Sequence, residues 1–156
     1  MDRLWAPWRI KYIQSIHKKG CVFCKRKKRK EKNYVFINNK YSFAILNIYP
    51  YNNGHTMVAP IRHINKISQF KKEEILDIFK TLNEAIKRLN KVLKPQGFNI
   101  GINTSDFAGA GIKGHLHIHI VPRWKGDTNF MPVIFNTKVV SQSLNELYRR
   151  LENAKP

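Results

Sequence analysis

The sequence predicts an α+β domain: a mainly antiparallel sheet of five strands, one long amphipathic helix and a short C-terminal helix. Three observations carry this. From Lys71 to Leu93, apolar residues recur at steps of three and four, the spacing of one helix face. On both sides of that segment, short apolar stretches end in Pro, Asn or Gly, as strands do. The chain has 156 residues, 42% of them hydrophobic, enough for one real core. Neither an internal repeat nor a composition break divides it, so residues 1–156 read as a single domain.

In chain order, residues 1–20 are aromatic and basic. Trp5, Pro7 and Trp8 suggest an arm packed on the domain. The pair Cys21 and Cys24 in "CVFC" follows. A catalytic disulfide would want a thioredoxin-like βαβ context, which is absent, so half of a metal site is the better reading of the two thiols; a pair of simply buried thiols is the alternative. The block "KRKKRKEK", Lys25 to Lys32, reads as a solvated charged loop or edge. "YVFINN" and "YSFAILNIYP" read as two strands of a hairpin turned at 38–40. "YPYNNGH" is turn chemistry, and "HTMVAP" is a third strand stopped by Pro60.

The long helix should bury Ile75, Ile78, Phe79, Leu82, Ile86, Leu89 and Leu93, with Ser68 as its N-cap and "KPQG" as its end. "FNIGIN" is a fourth strand, "AGAG" a glycine-rich loop, and "HLHIHIVP" a fifth strand. Ser143 followed by Glu146 makes a capping box for the final helix.

Composition narrows the function classes. No apolar run approaches the ~20 residues of a membrane span, and the first residues lack a signal-peptide h-region. A cytoplasmic location with no membrane partner is therefore expected. Lys+Arg is 29 against Asp+Glu of 10, a formal +19. Such a field favours polyanions: nucleotides, polyphosphates or nucleic acid. Charge alone does not choose among them, and part of the excess is lysine scattered over solvent faces.

The most informative stretch is "GHLHIHIVPRW", Gly114 to Trp124. A strand period of two puts His115, His117 and His119 on one face and Leu116, Ile118 and Ile120 on the other. The apolar face belongs on the core, which leaves the histidines as a row on the outer, exposed face. Histidine has no propensity reason to repeat there, so the row asks for a chemical explanation.

"HLHIHIV" resembles the signature of the histidine-triad family, His-φ-His-φ-His-φ-φ with φ apolar. "CVFC" and "GHTMVAPIRH" are similar to two further family segments in the same order. "LWAPWRIKYI", "NIYPYNNGH", "AGAG" and "VPRWKGDTNFM" resemble the branch of diadenosine tetraphosphate phosphorylases and related nucleotide hydrolases. The resemblance implies a HIT-like fold and cleavage of dinucleoside polyphosphates at the α-phosphate through a covalent AMP-histidine intermediate, with water or inorganic phosphate as acceptor.

It maps the nucleophile onto His117, puts His119 beside the phosphate oxygens and lets His55 support them. A neutral imidazole is abundant at pH 7 and attacks without a separate base, provided its other nitrogen keeps a proton, normally held by a backbone carbonyl in this family. Gly109, Ala110 and Gly111 are then a phosphate cradle rather than only a tight turn. Asn47 occupies the ribose-contacting position, Asn103 is a further polar contact, and Trp124 either stacks on a base or belongs to the core. The resemblance also implies a structural zinc held by Cys21, Cys24, His63 and His115, a donor set that suits a borderline-soft ion, and a homodimer through the helix and a sheet edge.

Two departures from the pattern stand out. The Gln-Ser pair that many family hydrolases carry ahead of the triad is here Gly111 and Ile112. Together with the cationic excess around Lys113, Arg123 and Lys125, this tilts the acceptor towards inorganic phosphate. The branch's Asn-x-Gly is here Asn103-Thr104-Ser105, which implies a different backbone path. Two other readings are a zinc-stabilised basic module that binds nucleic acid, and an enzyme removing adenylyl groups from nucleic-acid ends.

Overall fold

The computed structural model describes residues 20–27, 33–108, 112, 114–127 and 140–154. The expected N-terminal arm up to residue 19, the end of the basic block, Gly109, Ala110 and Gly111 of the glycine loop, and Lys113 lie outside the described residues.

The expected hairpin is present. Strand β1 (Val35–Asn38) pairs antiparallel with β2 (Ser42–Leu46), with a register shift between Val35 and Ile37. Strand β3 (Thr56–Pro60) pairs antiparallel with β2, Ser42 opposite Pro60 and Leu46 opposite Thr56. Helix α1 (Lys72–Leu93) then crosses to β4 (Gly97–Gly101), and β5 (Ile118–Arg123) inserts between β3 and β4. The sheet order is β1-β2-β3-β5-β4, and every pairing is antiparallel. Helix α2 (Leu144–Asn153) closes the described chain, with Ser143 Oγ accepting from the Glu146 N–H as its cap.

One sheet face packs on the helices. Val58, Ile118 and Ile120 meet Ile78, Leu82, Ala85 and Leu89 of α1, and Leu147 and Leu151 of α2. Arg88, buried in α1, donates to the backbone oxygens of Phe36 and Leu151, so one guanidinium ties α1 to β1 and α2. The opposite face carries a second cluster, Phe43, Met57 and Ala59 of the sheet under Phe23 from the "CVFC" loop.

Three expectations need correction. Ser68 lies in a separate 3-10 turn, Ile67–Gln69, and α1 starts after Lys71. There the Glu74 carboxylate accepts from the Lys71 N–H at 2.9 Å, satisfying a donor that no helical carbonyl reaches. The Arg62 guanidinium beside Glu74 pulls its carboxyl down to about 2.

The apolar stripe of α1 is also only partly buried. Ile75 is 43% and Phe79 60% exposed, because both sit round the flank of the helix, away from β2 and β3. The fifth strand starts later than expected, at Ile118. Ahead of it the chain is held by the Leu116 N–H donating to the Ile64 oxygen at 2.7 Å.

Candidate active site and metal centre

Strand period sorts the histidine segment as expected: Ile118 and Ile120 face the helices, while His119 pairs with Met57 on the other face. The row is not exposed, however. His115, His117 and His119 are all buried, His117 to 3% and His119 to 8% exposure. The Phe23 ring lies edge-on to both His115 and His117, and the Tyr51 ring stacks on His119. An outer sheet face thus becomes an interior one.

At one end of the row, four ligand atoms converge. Those of Cys21, Cys24, His63 and His115 all lie within 4.8 Å of one another. Cys21 Sγ is 3.2 Å from His115 Nδ1, Cys24 Sγ 3.3 Å from His63 Nδ1 and 3.6 Å from His115 Nδ1. Metal–sulfur bonds of ~2.3 Å and metal–nitrogen bonds of ~2.0 Å imply tetrahedron edges of about this length. The protonation pattern fits as well. His115 Nε2 donates to the Pro60 carbonyl at 2.9 Å, which leaves the Nδ1 lone pair aimed at the thiols. Neither cysteine is in a disulfide.

Two residues on, the ring is turned round. His117 Nδ1 donates to the His115 carbonyl at 2.9 Å, so the lone pair of the neutral ring is on Nε2. Burial pushes the His117 pKa down, against the pull of that hydrogen bond, and this favours the neutral ring.

The protons of His55 and His119 follow from one backbone donor. The Tyr51 N–H donates to His55 Nδ1 at 3.0 Å, and Asn47 Nδ2 approaches the same atom at 3.3 Å. His55 must therefore carry its proton on Nε2, which donates to His119 Nδ1 at 2.8 Å. A neutral His119 then carries its own proton on Nε2. That atom is buried and has no partner among the described residues. Burial, reinforced by the charge of His117, lowers the His119 pKa to about 4. The arrangement offers a lone pair on one ring and an N–H on its neighbour, with ring centroids 4.7 Å apart.

The remaining expected contacts divide. Asn47 is half-buried beside the site, but its oxygen accepts from the Tyr49 N–H at 2.9 Å, so this side chain shapes the turn that holds His55. Asn103 lies in the loop after β4. Trp124 is half-buried in a turn closed by Asp127, whose carboxylate also takes Arg123 and Asn52. The backbone between Asn103 and the glycine loop keeps the conformation that a glycine would favour: Ser105 has φ 74°.

Sequence reasoning missed Tyr51 and Phe23. Tyr51 supplies the amide that sets the proton order, and its ring packs on His55 at 4.3 Å and stacks on His119 at 5.7 Å. The signal for both lay in their places: Tyr51 four residues before His55, Phe23 between the paired cysteines.

Alternating histidines that lead into β5, a fourth histidine just ahead of β3 and a Cys₂His₂ cluster together point to a histidine-triad protein. The HIT domain model matches residues 28–126, and the chain belongs to the HIT family. Over 161 aligned residues it is 34% identical to AP-4-A phosphorylase of Mycobacterium tuberculosis, covering 97% of this chain and 83% of that protein. It is 30% identical to the bis(5'-nucleosyl)-tetraphosphatase [asymmetrical] of Schizosaccharomyces pombe, over 65% of this chain and 56% of that one. A zinc-bound histidine triad family protein from Mycobacterium smegmatis superposes with a TM-score of 0.69 at 25% identity, covering 86% of this chain and 92% of that chain.

Proposed function

We propose that this protein is a nucleotide-processing enzyme that cleaves dinucleoside polyphosphates, of the diadenosine tetraphosphate kind, at an α-phosphate by way of an AMP–His117 intermediate. The observation that carries the reading is the opposed protonation of the two rings: the lone pair of His117 is on Nε2, beside an N–H on His119 Nε2 that has no partner among the described residues. In the first half-reaction His117 Nε2 forms a bond to the α-phosphorus, the bond to the bridging oxygen breaks, and ATP leaves. His119 donates to a phosphate oxygen as charge builds there, and His55 keeps His119 in that donor state. Similarity to a phosphorylase along nearly the whole chain supports the substrate class.

Inorganic phosphate is the proposed acceptor. Its oxygen attacks the phosphorus, the N–P bond breaks, and ADP is released with His117 Nε2 free again. The formal +19 supports gathering two anions in one site, and Gly111 and Ile112 stand where hydrolases often carry Gln and Ser. Gly109, Ala110 and Gly111 are the proposed cradle for the phosphates, with Asn47, Asn103 and Trp124 around the nucleoside.

Zinc is the proposed occupant of Cys21, Cys24, His63 and His115. Four protein ligands leave it no open position, so it contributes folding free energy and not a reacting group. A homodimer is supported by the apolar flank of α1, Ile75 and Phe79, and by the edge strand β4 with Ile100 exposed. A monomer in sedimentation would remove it.

The decisive experiment is a product profile from diadenosine tetraphosphate with and without inorganic phosphate. Phosphorolysis gives ADP plus ATP, and the rate rises with phosphate. AMP plus ATP at a rate indifferent to phosphate makes water the acceptor. Absence of any cleavage, with no acid-labile adduct on His117, overturns the reading.

A further inference from the structure

Phe23 belongs to neither group of histidines, yet it touches both. It is the third residue of Cys21-Val22-Phe23-Cys24 and is 1% exposed, while its neighbour Val22 is 44% exposed. The loop is tied by the Lys25 N–H donating to the Cys21 carbonyl at 3.1 Å and continues into a 3-10 turn, Cys24–Lys27. Both thiols therefore face the metal ligands while one aromatic ring is driven into the sheet. That ring meets His115 edge-on at 5.2 Å and 78°, His117 at 5.3 Å and 66°, and Phe43 at 5.7 Å and 70°.

His117 needs such a neighbour. Its hydrogen bond to the His115 carbonyl anchors one ring atom but leaves the ring free to rock about that anchor. An in-line attack needs the Nε2 lone pair, which lies in the ring plane, aimed at phosphorus, and small misplacements of a reacting atom cost rate steeply. Two rings limit the rocking: Phe23 at 66° and His119, 4.7 Å away at 68°. Edge-to-face contacts of this kind have a preferred angle as well as a preferred distance.

We propose that Phe23 is a positioning residue for His117, so that the metal-binding loop sets the plane of the attacking imidazole as well as closing the metal site. The inference rests on the reading of His117 as nucleophile. On this account, losing the metal loosens the loop, Phe23 withdraws, and the ring loses its stop.

The test compares Phe23→Ala and Phe23→Leu in the full chain. Metal content per chain should stay at the wild-type value, and KM for diadenosine tetraphosphate should stay within about twofold. The single-turnover rate of adduct formation on His117 should fall about 10- to 100-fold in Phe23→Ala and recover in part in Phe23→Leu. The ring resonances of His117, sharp in the metal-loaded wild type, should broaden or split in Phe23→Ala.

A Phe23→Ala protein with wild-type metal content, rate and ring resonances overturns the proposal. So does a rate loss that vanishes once metal is restored. If the wild type itself forms no adduct, the functional reading fails separately, and the ring resonances still decide: broadening in Phe23→Ala upholds the positioning, unchanged signals overturn it.

Discussion

The two ends of the histidine row are built from the same residue type and do opposite things with it. At the Cys21–Cys24 end, the backbone carbonyl of Pro60 takes the Nε2 proton of His115 and turns Nδ1 towards two thiols. At the other end, the carbonyl of His115 takes the Nδ1 proton of His117 and leaves the lone pair on Nε2. On the proposed reading, what separates a ligand from a nucleophile is which ring nitrogen a neighbouring carbonyl claims. Imidazole identity says little until that carbonyl is located.

The sharpest way to break this contrast is to remove one end at a time. His117→Asn should lower turnover on the order of 10⁴-fold or more, as loss of a covalent nucleophile does. Because His117 is buried and hydrogen-bonded, the fold should also weaken by about 1–2 kcal/mol. A variant that kept more than a few per cent of wild-type turnover would take His117 out of the chemistry.

Cys24→Ser acts at the other end. It should destabilise the protein by roughly 3–5 kcal/mol, about 10 °C in Tm, since closed metal sites supply folding free energy. Turnover per folded molecule should fall far less than in His117→Asn. Thermal melts of the two variants beside their metal contents measure the difference; equal stability in Cys24→Ser and wild type would mean that the cluster closes nothing.

The smallest effect is on pH. Burial holds His119 neutral down to about 4, well below the ordinary histidine value of 6.5. Protonation would fall on Nδ1, the atom that accepts from His55 Nε2, so the His55–His119 hydrogen bond should survive acidification through 6.5 and any acid limb from this group should lie near 4. Stability runs the other way. Between 6.5 and 4 the unfolded chain binds a proton that the folded chain refuses, so this group makes folding less favourable as pH falls. Rates of adduct formation and melting temperatures across that window check both signs. A His119 ring that titrated at 6.5 by NMR would show that it behaves as an exposed ring.

Much of the scaffold was legible because the signals are periodic. Steps of three and four marked α1, steps of two marked the histidine strand, and turn residues marked the hairpins. What escaped depends on contacts far apart in sequence. Phe23 meets the rings of His115 and His117 from a loop near the start of the described chain, and Cys21 meets His115 across 94 residues.

The same holds for the start of α1. Ser68 is the better cap by residue type, but Glu74 reaching back to Lys71, braced by Arg62, starts the helix later. The extent of the stripe on α1 misled for another reason. Apolar spacing marks a helix face, and how much of that face a sheet covers depends on where the sheet ends. At the site, residue types pointed to five histidines and two cysteines, while the order of their protons needed the Tyr51 amide and two carbonyls, which side-chain patterns do not report.

The position of β5 in the sheet has a consequence for how this architecture can change. Bonded on one side to β3 and on the other to β4, it cannot slide or tilt without breaking two ladders. His119 and the strand behind it are thus tied to the frame of the domain, while His117, one residue ahead of β5, takes part in neither ladder. On the proposed reading, Gly111 and Ile112, which bear on the choice between water and phosphate, precede β5 in the sequence. Such a layout lets new substrates be acquired by redrafting loops while the reaction itself is inherited intact.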